Sequence, residues 1–187
     1  GTMGFALAEA AARNGATVTL VTGPVQLDTP IGAIHRVDVT TAEEMYNAVW
    51  DYYETSDIVI KAAAVADYRP KEIYDEKMKK GNGGLTIEME RTKDILHSLG
   101  ERKEKQFLVG FAAETTNPLE YGKGKLKEKN LDAIVINNVS EEGAGFGTDT
   151  NIVTYVNKTH ELTTLEKAPK YMIAEQLIKL IHRDYKG

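Results

Sequence analysis

Three apolar runs constrain this chain more than any other feature. Ile58-Val59-Ile60 contains no polar residue, Phe107-Leu108-Val109 opens a second such stretch, and Ala133-Ile134-Val135-Ile136 forms the third. A strand with one wet face alternates apolar and polar side chains. A run without alternation suits a parallel strand covered by helices on both faces. The first run passes into Ala62-Ala63-Ala64 and the second into Ala112-Ala113-Glu114. Ligands of open α/β sheets bind beyond the carboxyl ends of the strands, where such small residues let a backbone approach them closely.

The segments between the runs read as helices and turns. Residues 5–13 are alanine-rich and helical, ended by Asn14-Gly15, and Val18-Thr19-Leu20-Val21 is a short strand stopped by Thr22-Gly23-Pro24. Helix then strand, with Gly1-x-x-Gly4 at the entrance, reads as a βαβ unit whose first strand is missing, so an N-terminal strand and loop are expected to belong to the domain. His35-Arg36-Val37-Asp38-Val39 is another strand, and Thr41-x-x-Glu44 is a capping box opening a helix over 42–53, with Met45, Val49 and Trp50 on one face. Gly81-Asn82-Gly83-Gly84 is a hinge, giving a flexible lid over about 70–84. Leu85 to Glu90 alternates as a half-exposed strand, and Thr92 is placed to cap a helix over 93–102. Asn117-Pro118 gives an N-cap and a first-turn proline for a helix to about 129, weakened by Gly122 and Gly124. Residues 151–156 and 160–165 form a hairpin, and Pro169 opens an amphipathic helix carrying Ile173, Leu177, Leu180 and Ile181 on one face. The alternation predicts one α/β domain with a mostly parallel, doubly wound sheet and an antiparallel tail.

Composition removes several kinds of chemistry. The 187 residues include no cysteine, so disulfides, thiolate metal sites and a cysteine nucleophile are excluded. A net charge of -5 argues against a general nucleic-acid binder. No apolar run approaches the roughly 20 residues of a membrane span, and a cytoplasmic protein is the expectation. His35, His97, His160 and His182 are scattered, without metal-ligand spacing or a paired nucleophile.

What remains points to an anion. Lys77 precedes the glycine hinge and is placed to close over a ligand, and Lys125 and Lys129 are four apart on one helix face. Lysine is a compact charge suited to polyphosphate, although a solvated face explains the same pattern. Glu88, Glu90 and Glu114 have no spacing that demands a cation. A nicotinamide- or flavin-dependent Rossmann oxidoreductase is disfavoured, because the second strand ends in Thr22-Gly23-Pro24 and not in an acid for the ribose hydroxyl. A non-catalytic nucleotide-binding or dimerisation module is the other alternative.

Ala63-Ala64-Val65-Ala66-Asp67-Tyr68 with Lys77-x-Lys79-Lys80 resembles the bacterial phosphopantothenoylcysteine synthetase family, the phosphopantothenate–cysteine ligases. The resemblance continues in order through Gly4-Phe5-Ala6, Val21-Thr22-Gly23-Pro24, Val37-Asp38-Val39, Val109 to Thr115 and Lys129-Asn130-Leu131-Asp132. It implies a Rossmann-like three-layer sandwich, dimeric through its antiparallel hairpin and dependent on Mg2+. It also implies an enzyme that uses CTP to activate the carboxylate of 4′-phosphopantothenate, then joins it to L-cysteine. Carried over residue by residue, the nucleotide contacts are Lys61, Ala62, Ala63, Asp67, the segment Lys93-Asp94-Ile95-Leu96, Phe111, Lys125 and Lys129, with Lys77 as the catalytic lysine of the flexible loop. A proline is common in the family where Lys93 stands. The asparagine of the family that precedes Gly-x-Met-Gly is not in this sequence, nor is the decarboxylase half with its FMN, to which such domains are often fused.

Overall fold

The computed structural model describes residues 2–62, 68–70, 89–91, 94–114, 117–138 and 152–187. The apolar runs form the centre of the fold as their lack of alternation requires. Strands β3 (Ile58–Lys61), β6 (Phe107–Glu114) and β7 (Ala133–Asn138) run parallel, in the order β3-β6-β7. The hairpin β8 (Ile152–Asn157) and β9 (Leu162–Leu165) extends this sheet antiparallel beyond β7, giving five strands. β1 (Val18–Thr22) and β2 (Ile34–Asp38) form a separate parallel pair, and β4 (Tyr68–Pro70) pairs antiparallel with β5 (Met89–Arg91).

Helices cover both faces of the five-stranded sheet. On one side α1 (Thr2–Arg13) and α5 (Lys170–Lys186) pack on it, with Met3, Leu7 and Ala10 meeting Ile173, Leu177 and Ile181 over Val109, Val135 and Tyr155. On the other, α2 (Ala42–Tyr53), α3 (Ile95–Glu101) and α4 (Pro118–Glu128) bury Tyr53, Leu96, Leu99 and Leu126 against Leu108, Ile134 and Ile136. Successive strand residues point to opposite faces, so each buried strand feeds both cores. The result is a three-layer α/β sandwich, as the family resemblance implies, with the antiparallel tail that the strand pattern predicts.

Local signals explain most element ends. Asn14 donates its side-chain amide to Ala10 O at 2.7 Å, and Gly15 follows at φ +93, closing α1. Thr41 Oγ1 accepts from Glu44 N at 3.0 Å, the forward bond of the expected capping box, while the Glu44 carboxylate accepts from Thr40 N at 3.5 Å, one residue before the cap. Three expectations change. α3 starts at Ile95 and is capped by Asp94, not Thr92; of the expected helix start, Thr92 and Lys93 lie outside the described residues. Asn117 precedes α4 at φ 47 without a side-chain cap bond, and Pro118 at the helix start accounts for the break. β3 is covered on both faces, as predicted, but among the described strands its outer edge has no neighbour, which leaves Ile58, Val59 and Ile60 half-buried.

Gly122 does not weaken α4 to the point of interruption, because the helix lies so close to the sheet there that a Cβ would sit 2.8 Å from Ile136 Cδ1. The Asn130-Leu131-Asp132 stretch is structural. Asp132 Oδ2 accepts from Leu108 N at 2.8 Å and from Lys103 Nζ at 3.1 Å, while Asn130 donates to Gly100 O at 2.9 Å. These bonds tie the amino-terminal ends of β6 and β7 to the carboxyl end of α3 and the residues just after it.

Candidate functional site

The strand β3 ends in Lys61, whose side chain points to the face carrying α3 and α4, since Ile58, Ile60 and Ala62 pack toward α1 and α5 and Val59 packs the other way. β3 pairs with β6 in a register that sets Lys61 beside Gly110. A Cβ on Gly110 would fall 2.6 Å from Leu96 Cδ2 and 3.1 Å from Leu131 Cδ1. The bare backbone there is what lets the first turn of α3 settle close to the carboxyl end of β3.

That close approach assembles a charged cluster. Asp94 caps α3, its Oδ1 accepting from His97 N at 3.0 Å, and its Oδ2 meets Lys129 Nζ at 3.0 Å. Burial alone pushes the Asp94 carboxyl upward, but the His97 amide and the Lys129 ammonium outweigh it and hold its pKa below the ordinary carboxylate value. Lys61 belongs to the same group. Burial lowers its pKa, the Asp94 charge works against that shift, and the neighbouring Lys129 adds to it. Two ammonium groups therefore share one carboxylate at the end of β3. An anion arriving there would meet an excess of positive charge held partly out of water, where Coulomb attraction is strong.

The other predicted residues separate into three groups. Ile95 and Leu96 are buried in the core beneath α3, so their side chains pack and only their backbone is available to a ligand. Phe111 and Ala62 lie on the α1 and α5 face of the sheet, opposite the Lys61, Asp94 and Lys129 cluster. Lys125 pairs with Glu128 at 3.2 Å and lies 5.6 Å from the centre of the Tyr121 ring; Lys129, one turn on, is the member of the pair that reaches Asp94. Ala63, Asp67, Lys77 and Lys93 lie outside the described residues, as does most of the expected lid. β4 and β5 pair antiparallel with Pro70 opposite Met89.

Sequence reasoning passed over Asn137. It lies on β7 between Ala113 of β6 and Val153 of β8, 1% exposed, and its Oδ1 has no hydrogen-bond partner. The only sequence signal was one amide at the end of an otherwise apolar strand. Among the described residues no group of three or more acids or histidines is placed to hold a metal ion, so the Mg2+ implied by the resemblance has no protein cage there. No helix among them is long and apolar enough to cross a membrane.

A family model described as the DNA/pantothenate metabolism flavoprotein C-terminal domain matches residues 1–185. The chain belongs to this family. Its similarity to the coenzyme A biosynthesis bifunctional protein CoaBC of Bacillus subtilis (strain 168) is 51% identity over 181 residues, covering 97% of this chain and 45% of that protein. A relative from an unknown prokaryotic organism, named cysteine/cysteine sulfinic acid decarboxylase, is 44% identical over 182 residues, covering 97% of this chain and 51% of its own length. The chain thus spans about half the length of these curated relatives. The crystal structure of the C-terminal domain of CoaBC superposes with a TM-score of 0.82 at 44% identity, covering 100% of this chain and 83% of that one.

Proposed function

We propose that this domain is a phosphopantothenate–cysteine ligase of coenzyme A biosynthesis, driven by CTP. The observation that carries the reading is the Lys61, Asp94 and Lys129 cluster at the carboxyl end of β3, in a chain closely similar to CoaBC. In this reading a carboxylate oxygen of 4′-phosphopantothenate attacks the α-phosphorus of CTP. The bond to the bridging oxygen breaks, pyrophosphate leaves, and an acyl-cytidylate remains. The amine of L-cysteine then attacks the acyl carbon, CMP departs with the bonding electrons, and the amine loses its proton to give 4′-phosphopantothenoylcysteine.

The protein's part in the first step is electrostatic. Negative charge builds on the departing pyrophosphate, and fixed ammonium groups aimed at it favour the transition state over the ground state. Lys129, held by Asp94, and Lys61 beside it are the described candidates. Lys77 is proposed to add a further charge from the lid and Lys125 one from α4. Ala62, Ala63, Asp67, the 93–96 turn and Phe111 are proposed to receive the nucleoside. Magnesium would polarise phosphoryl oxygens when bound, and no step here is routed through it. A homodimer formed through the β8–β9 hairpin, a cytoplasmic location and a fused or associated decarboxylase carrying FMN complete the proposal.

The test is to supply 4′-phosphopantothenate, L-cysteine, Mg2+ and each nucleotide in turn, and to follow pyrophosphate. CTP-dependent release that also requires phosphopantothenate supports the ligase. Nicotinamide reduction or flavin binding without such release would favour the oxidoreductase instead. Lys77→Gln is expected to lose most turnover with its circular dichroism spectrum unchanged.

A further inference from the structure

The charged cluster at the end of β3 has a neighbour able to change its charge near neutral pH. His97 lies on the first turn of α3, two residues after the buried Ile95, and its side chain is 44% exposed. Its backbone N–H donates to Asp94 Oδ1 at 3.0 Å, and its Nδ1 lies 2.8 Å from Glu101 Oε1. An ionised carboxylate only accepts, so Nδ1 carries the proton of that bond whether the ring is neutral or charged. Nε2 is left as the ring atom for a ligand, with no hydrogen-bond partner among the described residues. An exposed i,i+4 pair of this kind adds little to a helix, so helix stability is a weak reason for an imidazole here.

The field of that ring reaches the cluster. The Asp94 carboxyl, which holds Lys129 at 3.0 Å, is drawn down by the charged imidazole as well as by the Lys129 ammonium. Lys61 of β3 acts on the same carboxylate from the sheet side. The remaining charged and titratable groups around α3 are engaged at its far end. Arg102 lies over the Trp50 ring of α2, and Lys103 pairs with Asp132 just before β7. Tyr53 of α2 donates to Leu99 O, and burial together with the Asp132 charge pushes its hydroxyl up to about 12, far above neutral pH. Among the described residues, His97 thus stands in the field of Glu101 and Asp94, with Lys129 and Lys61 beyond Asp94.

We propose that His97 is a further nucleotide-binding residue, whose imidazolium joins Lys61 and Lys129 in meeting the triphosphate as pH falls. The proposal rests on the ligase reading, which puts the nucleotide at this cluster. Imidazole is the side chain that gains its charge between pH 5 and 8, so affinity for CTP rises below neutral pH by the contribution of one added cation.

Calorimetric titration of the protein with CTP and Mg2+ at constant ionic strength, at about pH 5.5 and about pH 8.5, tests it. His97→Gln is expected to bind CTP about three- to fivefold more weakly than wild type at the lower pH and within about twofold of it at the higher. His97→Lys, charged at both, should match wild type within about twofold at the lower pH and bind more tightly at the higher. Lys61 and the nucleotide's own phosphates titrate in every one of these proteins, so the ratios isolate position 97. Both substitutions keep the backbone N–H that Asp94 accepts. Glu101→Gln breaks the same side-chain pair but keeps the imidazole, and it should bind CTP at least as tightly as wild type at the lower pH. A His97→Gln to wild-type ratio that is the same at both pH values, or a Glu101→Gln protein weakened as much as His97→Gln, would overturn the proposal. A wild type that binds no CTP at either pH sinks the ligase reading itself, and the role of His97 with it.

Discussion

At the scale of single residues, the two oxygens of Asp94 have different tasks: Oδ1 caps α3 through His97 N, and Oδ2 holds Lys129. Asparagine is as good an N-cap as aspartate but has no charge for a lysine. Asp94→Asn should therefore change unfolding free energy in urea by less than about 0.5 kcal/mol while weakening CTP binding several-fold, whereas Asp94→Ala should lose about 1 kcal/mol as well. Equal stability losses in the two variants would show that the ion pair, not the cap, carries the structural effect. Lys61 gives a prediction with pH. Its native pKa lies below the ordinary lysine value, so the unfolded chain binds its proton more tightly than the folded one. Protonated Lys61 thus opposes folding at neutral pH, and that opposition fades as pH rises from the native pKa toward the unfolded value of about 10.4. Lys61→Met should be more stable than wild type at pH 7, with the advantage shrinking by pH 10; a gap that widens with pH would contradict the assignment.

At the scale of elements, Gly110 sets the distance between the sheet and α3. Gly110→Ala would push against Leu96 and Leu131 and move the turn that carries Asp94. We expect it to cost about 1–3 kcal/mol in chemical unfolding and to weaken CTP binding together with stability. If stability falls and binding does not, α3 does not position the site. Much at this scale was legible beforehand. Runs without alternation marked β3, β6 and β7, and Thr41 with Glu44 marked the start of α2, because both signals depend on a few adjacent residues. The start of α3 was misjudged because Thr92 and Asp94 are both competent caps, and only the position of Asp94 beside Ile95 and Lys129 chooses between them. Lys125 and Lys129 looked equivalent for a similar reason: one helix face contains both, but only the packing of α4 against α3 decides which reaches Asp94. Asn137 showed only as one amide at the end of an apolar strand, since a missing hydrogen bond depends on neighbours from two other strands.

For the molecule as a whole, the sheet separates two environments. One face gathers Lys61, Asp94 and Lys129; the other holds Phe111, Ala62 and Asn137 among apolar groups. In the proposed reaction the triphosphate would meet the first face and the nucleoside would meet Ala62 and Phe111 on the second, with the reacting atoms where the two faces meet at the strand ends. That division is the central claim, and the nucleotide-dependent release of pyrophosphate tests it most directly. With 4′-phosphopantothenate, L-cysteine and Mg2+ present, release is expected with CTP, absent when phosphopantothenate is omitted, and reduced at least about tenfold in Lys129→Gln with the fold intact. Pyrophosphate release that does not require phosphopantothenate, or a Lys129→Gln protein as active as wild type, would contradict it.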